Sequence, residues 1–413
     1  MTRRAGPGDP CTFPLPSFPR RRESTGNTSW KRRKTPRKSF AGPSRATFSL
    51  AGVVLVLAVL AAACGEAVTP LAAAPTPTSD ERTFPPIDLP ADEAPHDNLS
   101  EWWYFTGRLT TGDRRNLGFE FVIFQAVRGG GPPAYAAHFA ITDPVGDRVV
   151  FDERTALGPS KGPPDDLDLC VDGWRLAFDG DRFTVDAAMP GYAVSLEFDP
   201  AYPAVEHHDG LLDFGPLGWS YYYSYPRMRV TGRLADARGE VGVRGTAWFD
   251  HQWGDFISVS TGGWDWMSLR FDDGRDLMLT ELWDERRRIV LAYATLSGRG
   301  PPLHLTGDDF TAIPLAIWMS PRTGATYPAA WRVLIPVLGL DVLVQPVVAD
   351  QELDTRHSTG NIYWEGLVDI IEDGRIAGYG YVELTGYAKA PGISEVSAER
   401  EPVRACLGQE QSG

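Results

Sequence analysis

Cysteine is scarce in this chain: 413 residues hold four, at Cys11, Cys64, Cys170 and Cys406. No Cys-x-x-Cys pair and no Cys/His zinc spacing occurs. Beyond Cys11 and Cys64, only Cys170 and Cys406 remain, so at most one disulfide forms between them in an oxidising compartment. A Gly-x-Ser-x-Gly elbow, a phosphate-binding loop and a dinucleotide fingerprint are also missing, which excludes serine hydrolases of the α/β type and nucleotide-dependent enzymes. No long stretch carries a helical apolar period. The uncharged apolar run Ala51 to Ala63 is too short to make a stable membrane-spanning helix.

That run has a use nonetheless. Residues 1–46 carry twelve Lys and Arg against two acids and no apolar period, so they are not expected to fold. Basic residues, then about a dozen apolar ones, then small residues make a secretory signal. Ala61-Ala62-Ala63-Cys64 resembles a bacterial lipoprotein processing site, with Leu60 one position further from the cysteine than usual. The expectation is an exported protein, either lipidated at Cys64 and held on the cell envelope or secreted; an uncleaved anchor would leave it on the same side of the membrane. The basic cluster Lys31 to Lys34 belongs to this leader and is not read as nucleic-acid binding. Without residues 1–63 there remain 28 basic and 52 acidic residues, about −24 in charge, which disfavours polyanionic partners.

Residues 64–95, rich in Ala, Pro and Thr, read as a flexible tether. Short aromatic and β-branched runs separated by Gly, Pro and Asp turns then follow to about residue 390. Examples are EWWYFTGRL (Glu101 to Leu109), NLGFEFVIFQAV (Asn116 to Val127), YYYSYPRMRVTGRL (Tyr221 to Leu234) and Ile362 to Ile370. The spacing predicts an all-β barrel or sandwich. An echo of Glu101-Trp-Trp-Tyr-Phe-Thr-Gly in Tyr363-Trp-Glu-Gly hints at two related β domains, 96–245 and 246–390, with a tail at 391–413.

The densest stretch is Thr246 to Asp284, with five of the thirteen tryptophans. Trp264 to Phe271 and Asp276 to Trp283 read as a hairpin closed by Asp-Asp-Gly-Arg, Gly274 permitting the positive φ of the turn. In Thr246 to Trp253, alternation puts Trp248, Asp250 and Gln252 on one face and Phe249, His251 and Trp253 on the other. A desolvated Asp250 would hold a proton that it can donate to an alkene or carbonyl, with His251 as relay; against this, strand geometry sends the two to opposite faces. Trp248, Trp253, Trp264, Trp266 and Trp283 either line a pocket with π faces or fill a core. Glu281 interrupts an apolar strand, so it is functional or paired with Arg270 or Arg227. His96 and Asp97 with Glu101 lack a second histidine at ligand spacing, so no metal site is expected, and no cofactor. His207-His208 in EHHDG reads as a solvated loop.

Five segments in one order, HDNLSEWWYFTGRL, YYYSYPRMRVTGRL, GTAWFDHQWGDF, GWDWMSLRFDDGRDLMLTELWD and YWEGLVDI with GYGYVELTGYA, resemble the AttH/CrtC family over about residues 85–390. That family includes bacterial carotenoid 1,2-hydratases and secreted lipocalin-like proteins, with some fungal cyclases as distant relatives. The resemblance implies two lipocalin-like β domains in tandem with the ligand site in or between them. It also implies a His-x-Trp pair, here His251 and Trp253. The Tyr and Asp that hydratases carry on the following strand are absent from Met278-Leu279-Thr280-Glu281-Leu282, which leaves Glu281 as the substitute acid and brings the chain nearer the AttH branch.

The expected function is therefore an envelope lipocalin-like protein that binds a hydrophobic isoprenoid or acyl ligand. The binding residues would be Trp102, Trp103, Tyr104, Trp248, Trp264, Trp266, Trp283, Tyr222 and Trp364. The alternative is an enzyme, a hydro-lyase or isomerase, that protonates a C=C bond through Asp250, His251, Trp253 and Glu281. A third reading is an envelope assembly protein whose partners are other proteins.

Overall fold

The computed structural model describes residues 84–129, 131–158, 167–215, 218–256 and 262–388. The described residues from Pro86 onward belong to one compact unit; Phe84 and Pro85 fall to another, the rest of which lies outside the described residues. The residues read as a leader, the lipidation site expected at Cys64, Cys406 and the tail 391–413 lie outside them too. Cys170 is disulfide-bonded. Among the described residues no helix is long and apolar enough to cross a membrane.

Among the described residues, alternating apolar residues and Gly-containing turns give twenty-one strands in two antiparallel sheets. The first holds β1 (Ser100–Thr111), β2 (Asn116–Ala126), β3 (Ala134–Asp143), β4 (Arg148–Leu157), β5 (Asp168–Val171), β6 (Trp174–Phe178), β7 (Phe183–Met189), β8 (Tyr192–Pro200), β9 (Val205–Asp213), β10 (Gly218–Asp236) and β11 (Gly239–Phe256). The second holds β12 (Gly263–Phe271), β13 (Asp276–Trp283), β14 (Ile289–Ser297), β15 (Leu303–Thr306), β16 (Thr311–Met319), β17 (Thr326–Ile335), β18 (Leu340–Pro346), β19 (Glu352–Thr355), β20 (Asn361–Glu372) and β21 (Arg375–Thr385).

The first sheet runs β4-β3-β2-β1-β11-β10-β8-β7-β6-β5 with β9 added to β10, and the second runs β15-β14-β13-β12-β21-β20-β18-β17-β16 with β19 added to β20. Laid side by side, the two orders superpose, β1 on β12, β11 on β21 and β10 on β20. The chain is a tandem duplication of one barrel-like sheet, which bears out two lipocalin-like β domains. The first sheet curls until Arg154 of β4 meets Asp172, just past β5, at 3.2 Å. The change of sheet falls between Phe256 and Gly263, not near residue 245, because Thr246 to Phe256 pairs with both β1 and β10. The tandem order also re-pairs the sequence echo: the counterpart of β1 is β12, whereas Tyr363-Trp-Glu-Gly lies on β20, the counterpart of β10.

The hairpin β12–β13 forms with Arg270 opposite Asp276 and Gly274 at φ +96. Pro226 cannot donate to a ladder, and β10 bulges there, between Tyr225 and Met228. The period-2 pattern then sorts the side chains into three apolar layers. Phe105, Phe183, Phe198 and Phe249 fill the first barrel, with Phe105 and Phe249 ring centres 4.6 Å apart, so its middle is a packed core. Met267, Leu279, Trp331, Trp364 and Val368 fill the second. Tyr104, Val122, Tyr222, Trp248, Trp266, Met278, Tyr293, Leu367, Tyr379 and Tyr381 form a third layer, where the outer faces of the two sheets meet. Each such ring removed from water contributes about 2–3 kcal/mol.

The folded part begins earlier than His96. Ile87 and Leu89 pack on the first core, and a short 3-10 turn, Ala91–Glu93, buries Glu93. The stretch read as the end of a tether is thus part of the first domain.

Candidate functional site

Strand β11 carries two polar centres back to back. On its outer face Asp250 is buried between the sheets. Tyr222 Oη donates to Asp250 Oδ2 at 2.7 Å and Trp248 Nε1 to Oδ1 at 2.6 Å, while Ser224 Oγ also donates to Oδ1. Trp266 Nε1, reaching across from β12, donates to the Tyr222 hydroxyl at 3.1 Å. Burial outweighs these three donors and pushes the Asp250 carboxyl up to about 7, so near neutral pH it is shared between acid and carboxylate.

A wire of polar groups leads from Asp250 to the surface. Ser224 Oγ accepts from His207 Nε2 at 2.7 Å; His207 Nδ1 lies 3.0 Å from Thr295 Oγ1; Thr295 Oγ1 lies 3.4 Å from Nδ1 of the exposed His304. With one choice of ring tautomers, every link donates toward Asp250. His207, expected in a solvated loop, is instead fully buried on β9. Burial, reinforced by His304 and His208, holds its pKa well below the usual imidazole range, so it is neutral. Sequence reasoning missed His207 and Ser224; the one available signal was the start of β9, where buried Val205 and His207 alternate with exposed Glu206 and His208.

Three more carboxyls share the layer between the sheets, Glu120 and Glu365 buried and Glu383 half-buried. Glu365 receives the Tyr104 hydroxyl at 2.7 Å and Glu120 that of Tyr363 at 3.2 Å. Burial and mutual repulsion raise Glu365 well above the ordinary carboxyl range. Burial, with Glu383 adding repulsion, takes Glu120 to about 8, and burial, with Asp250 adding repulsion, takes Glu383 to about 7. His138, bonded to the Tyr363 hydroxyl at 2.7 Å, is lowered to about 3 by burial.

The second centre lies on the inner face of β11. His251 Nε2 is 2.9 Å from Glu101 Oε1, which also accepts from His96 Nδ1 at 2.7 Å. Glu101 Oε2 accepts from the His96 backbone at 2.8 Å and from Gln125 Nε2 at 2.9 Å. The His96 ring stacks on Trp253 at 4.3 Å. Tyr223 and Tyr225 donate to Glu93 at 2.5 and 2.9 Å. The histidine missing from the neighbourhood of Glu101 in sequence is thus supplied by β11. His96, Glu101 and His251 bring ligand atoms within 4.8 Å of one another, close enough to chelate an ion. Those same atoms already bond to each other, and we read them as a clamp that ties the segment around Glu93 and His96 into the barrel.

The structure therefore divides the residues singled out in the sequence. Asp250, Tyr222, Trp248, Trp266, Tyr104 and, at the rim, Trp102 and Trp264 gather between the sheets. His251, Trp253 and Trp103 lie inside the first barrel and Trp364 inside the second. Trp283 and Glu281 sit together apart from these: Trp283 Nε1 reaches Asp265 at 3.4 Å, and Asp265 stands opposite Glu281 across the β12–β13 ladder. Burial, with Asp265 adding repulsion, raises Glu281 to about 7. The arginines considered as its partners are engaged elsewhere, Arg227 with Asp276 at 2.8 Å and Arg270 over the Tyr379 ring. Asp250 and His251, neighbours in sequence, do not form one site.

Known proteins agree with this architecture. A crystal structure of a Nitrosomonas europaea protein assigned to AttH is similar at 33% identity and a TM-score of 0.68, over 74% of this chain and 98% of that one. Kievitone hydratase from Nectria haematococca shares the fold at 19% identity and a TM-score of 0.59, over 73% of this chain and 93% of its own. No curated protein shows significant sequence similarity. The family model described as AttH-like matches residues 80–387, which takes in both sheets and both polar centres, and the chain belongs to the AttH-like family.

Proposed function

We propose that this protein binds a hydrophobic isoprenoid or acyl ligand in the aromatic layer between its two sheets and protonates a C=C bond of that ligand with Asp250. The observation that carries the reading is Asp250 itself: a buried carboxyl raised to about 7, flanked by the indoles of Trp248 and Trp266, whose rings stand 6.1 Å apart. The Asp250 O–H bond breaks as a C–H bond forms, leaving a cation that indole faces stabilise. Water adds to that cation and loses its extra proton to the Asp250 carboxylate, giving a net hydration. Transfer of a proton from the neighbouring carbon to the Asp250 carboxylate gives an isomerisation instead. The Ser224-His207 wire offers the Asp250 proton a path for exchange with solvent. The hydratase from Nectria haematococca, alike in fold, makes hydration the reaction to test first.

The test is deuterium incorporation. Lipids that copurify with the protein from its own envelope would be identified by native mass spectrometry and incubated with it in D2O, alongside retinoid and unsaturated acyl probes. Carbon-bound deuterium formed by the wild type and not by Asp250→Asn, with binding retained, is the expected result. No incorporation into a ligand that binds would sink the enzyme and leave a carrier. One observation favours that second reading: three donors already satisfy Asp250, so a structural role is complete without chemistry. The leader ahead of Cys64 supports an exported, envelope-anchored setting; loss of membrane retention in Cys64→Ser tests it.

A further inference from the structure

One buried charge has no part in this scheme. Arg270 on β12 is 1% exposed and shares the strand face of Trp266 and Ser268. Its Nη1 makes one long bond, 3.4 Å, to the Thr106 carbonyl, and its flat face lies over the Tyr379 ring at 4.7 Å. Nε and Nη2, which together form one edge of the guanidinium, have no hydrogen-bond partner among the described residues. That edge is the one that grips a carboxylate or phosphate with two parallel bonds. Arg227 shows it in use, its Nε and Nη2 holding the two oxygens of Asp276 at 3.1 and 2.8 Å.

The one carboxylate whose charge reaches Arg270 is Asp276, opposite it on the ladder, and it makes no hydrogen bond to Arg270. Asp276 is taken by Arg227. Arg108 stacks on Tyr379 as well, at 3.9 Å, adding positive charge. Glu120 and Glu365, in the same layer, are held toward their neutral forms and bond to Tyr363 and Tyr104. Two more buried hydroxyl oxygens, Thr106 Oγ1 and Ser268 Oγ, also have no partner among the described residues. A guanidinium kept out of water with no anion bonded to its fork is costly, and here the two-pronged edge belongs to the strand face that also carries Ser268 and Trp266, beside the aromatic layer.

We propose that Arg270 binds the anionic head, a carboxylate or phosphate, of the ligand whose apolar body lies along the aromatic layer. This deepens the function proposed above and rests on it for the ligand's apolar part. Trp266 and Arg270 are four residues apart on one strand, roughly 13 Å, so head and reacting bond are separated by a chain of about that length.

Calorimetric titration of the full chain with laurate, dodecyl phosphate, dodecanol, acetate and inorganic phosphate tests this, with the Arg270→Lys, Arg270→Gln and Asp250→Asn variants alongside. The expected result is that the wild type binds laurate or dodecyl phosphate at least about tenfold more tightly than dodecanol. Arg270→Lys, which keeps the charge and loses the fork, and Arg270→Gln should both erase that preference, and Asp250→Asn should keep it. Weak binding of acetate and phosphate would identify the amphiphile as the ligand; tight binding of phosphate alone would assign the site to a free anion. Equal affinity of the wild type for dodecanol and laurate overturns the proposal without any variant, as does a preference that survives in Arg270→Lys. Failure of the Asp250 reading looks different: the preference persists while no deuterium enters carbon.

Discussion

The pH dependence of stability isolates Asp250 without knowledge of its ligand. Its carboxyl is raised in the folded protein from 3.8 to about 7, so the folded state binds this proton more tightly than the unfolded chain does. Below about pH 4 both states are protonated and the site costs nothing. As pH rises through about 7 the unfolded chain has already released the proton, and the folded protein must either keep it or bury a charge. The interval from 3.8 to about 7, at about 1.4 kcal/mol per pH unit, is about 4 kcal/mol of stability lost. Asp250→Asn cannot titrate. Its amide NH2 must face Ser224 or Tyr222, which imposes a penalty of about 1–3 kcal/mol that does not vary with pH. Urea unfolding of both proteins at pH 4.5 and pH 8.5 should show the variant gaining on the wild type by about 3 kcal/mol at the higher pH, since about 1 of the 4 is already lost at pH 4.5. Because Asp250 and Glu383 repel each other, the gain in Asp250→Asn, Glu383→Gln should exceed that in either single variant. A difference that is flat between the two pH values would refute the raised carboxyl and with it the proton donor.

The clamp predicts a slope of the same sign over a higher pH range. His96 is raised from 6.5 to about 9 by Asp92 and Glu101 acting against burial, so its contribution is full below about 6.5 and fades as pH rises through about 9; His96→Ala should lose up to about 3 kcal/mol at pH 6 and little at pH 10. Limited proteolysis of that variant should cut first around residues 87–96. A Cβ at Gly107 would meet the Thr246 carbonyl oxygen at 2.4 Å and the Phe119 ring at 2.7 Å, and Gly107→Ala should destabilise the β1–β11 pairing by about 3 kcal/mol in urea unfolding. Arg227→Met leaves the fully buried Asp276 unpaired and should cost about 3–5 kcal/mol; Arg227→Met, Asp276→Leu should recover most of it.

Strands with strong apolar alternation were legible in the sequence, and those held by partners rather than by their own pattern were not. The β12–β13 hairpin could be drawn to within a residue because Asp-Asp-Gly-Arg admits one turn and the flanking parity admits one register. β4, β5, β9, β15 and β19 escaped notice: they are short or polar, as in RVVFDERTAL and LHLT, and β9 is paired only along one side of β10. The boundary was misplaced for a related reason. Nothing local in Thr246 to Phe256 distinguishes a strand ending one sheet from a strand opening the next; only its pairing with β1 and β10 does.

The division of the candidate site has the same origin, and it bears on mechanism. Alternation along β11 does place Asp250 and His251 on opposite faces, so a shared site would have required a bulge between them, and the ladder to β1 runs unbroken from Ser100–Gly254 to Thr111–Val243. What the sequence could not show is which face meets another sheet. The face with His251 looks into a filled barrel and bonds to the chain's own leading segment; the face with Asp250 looks across at Trp266 of β12 and, beside Tyr222 and Ser224, is built from both halves of the duplication. A ligand between the sheets would touch residues of both halves and would stabilise their docking as it binds, whereas one held by His251 would touch the first half alone. Ligand-induced protection of Trp266 and Met278 backbone amides in hydrogen exchange, with the β11 clamp unchanged, would separate the two. Protection confined to β1, β10 and the segment before His96 would move the site into the first barrel and remove Asp250 from the chemistry.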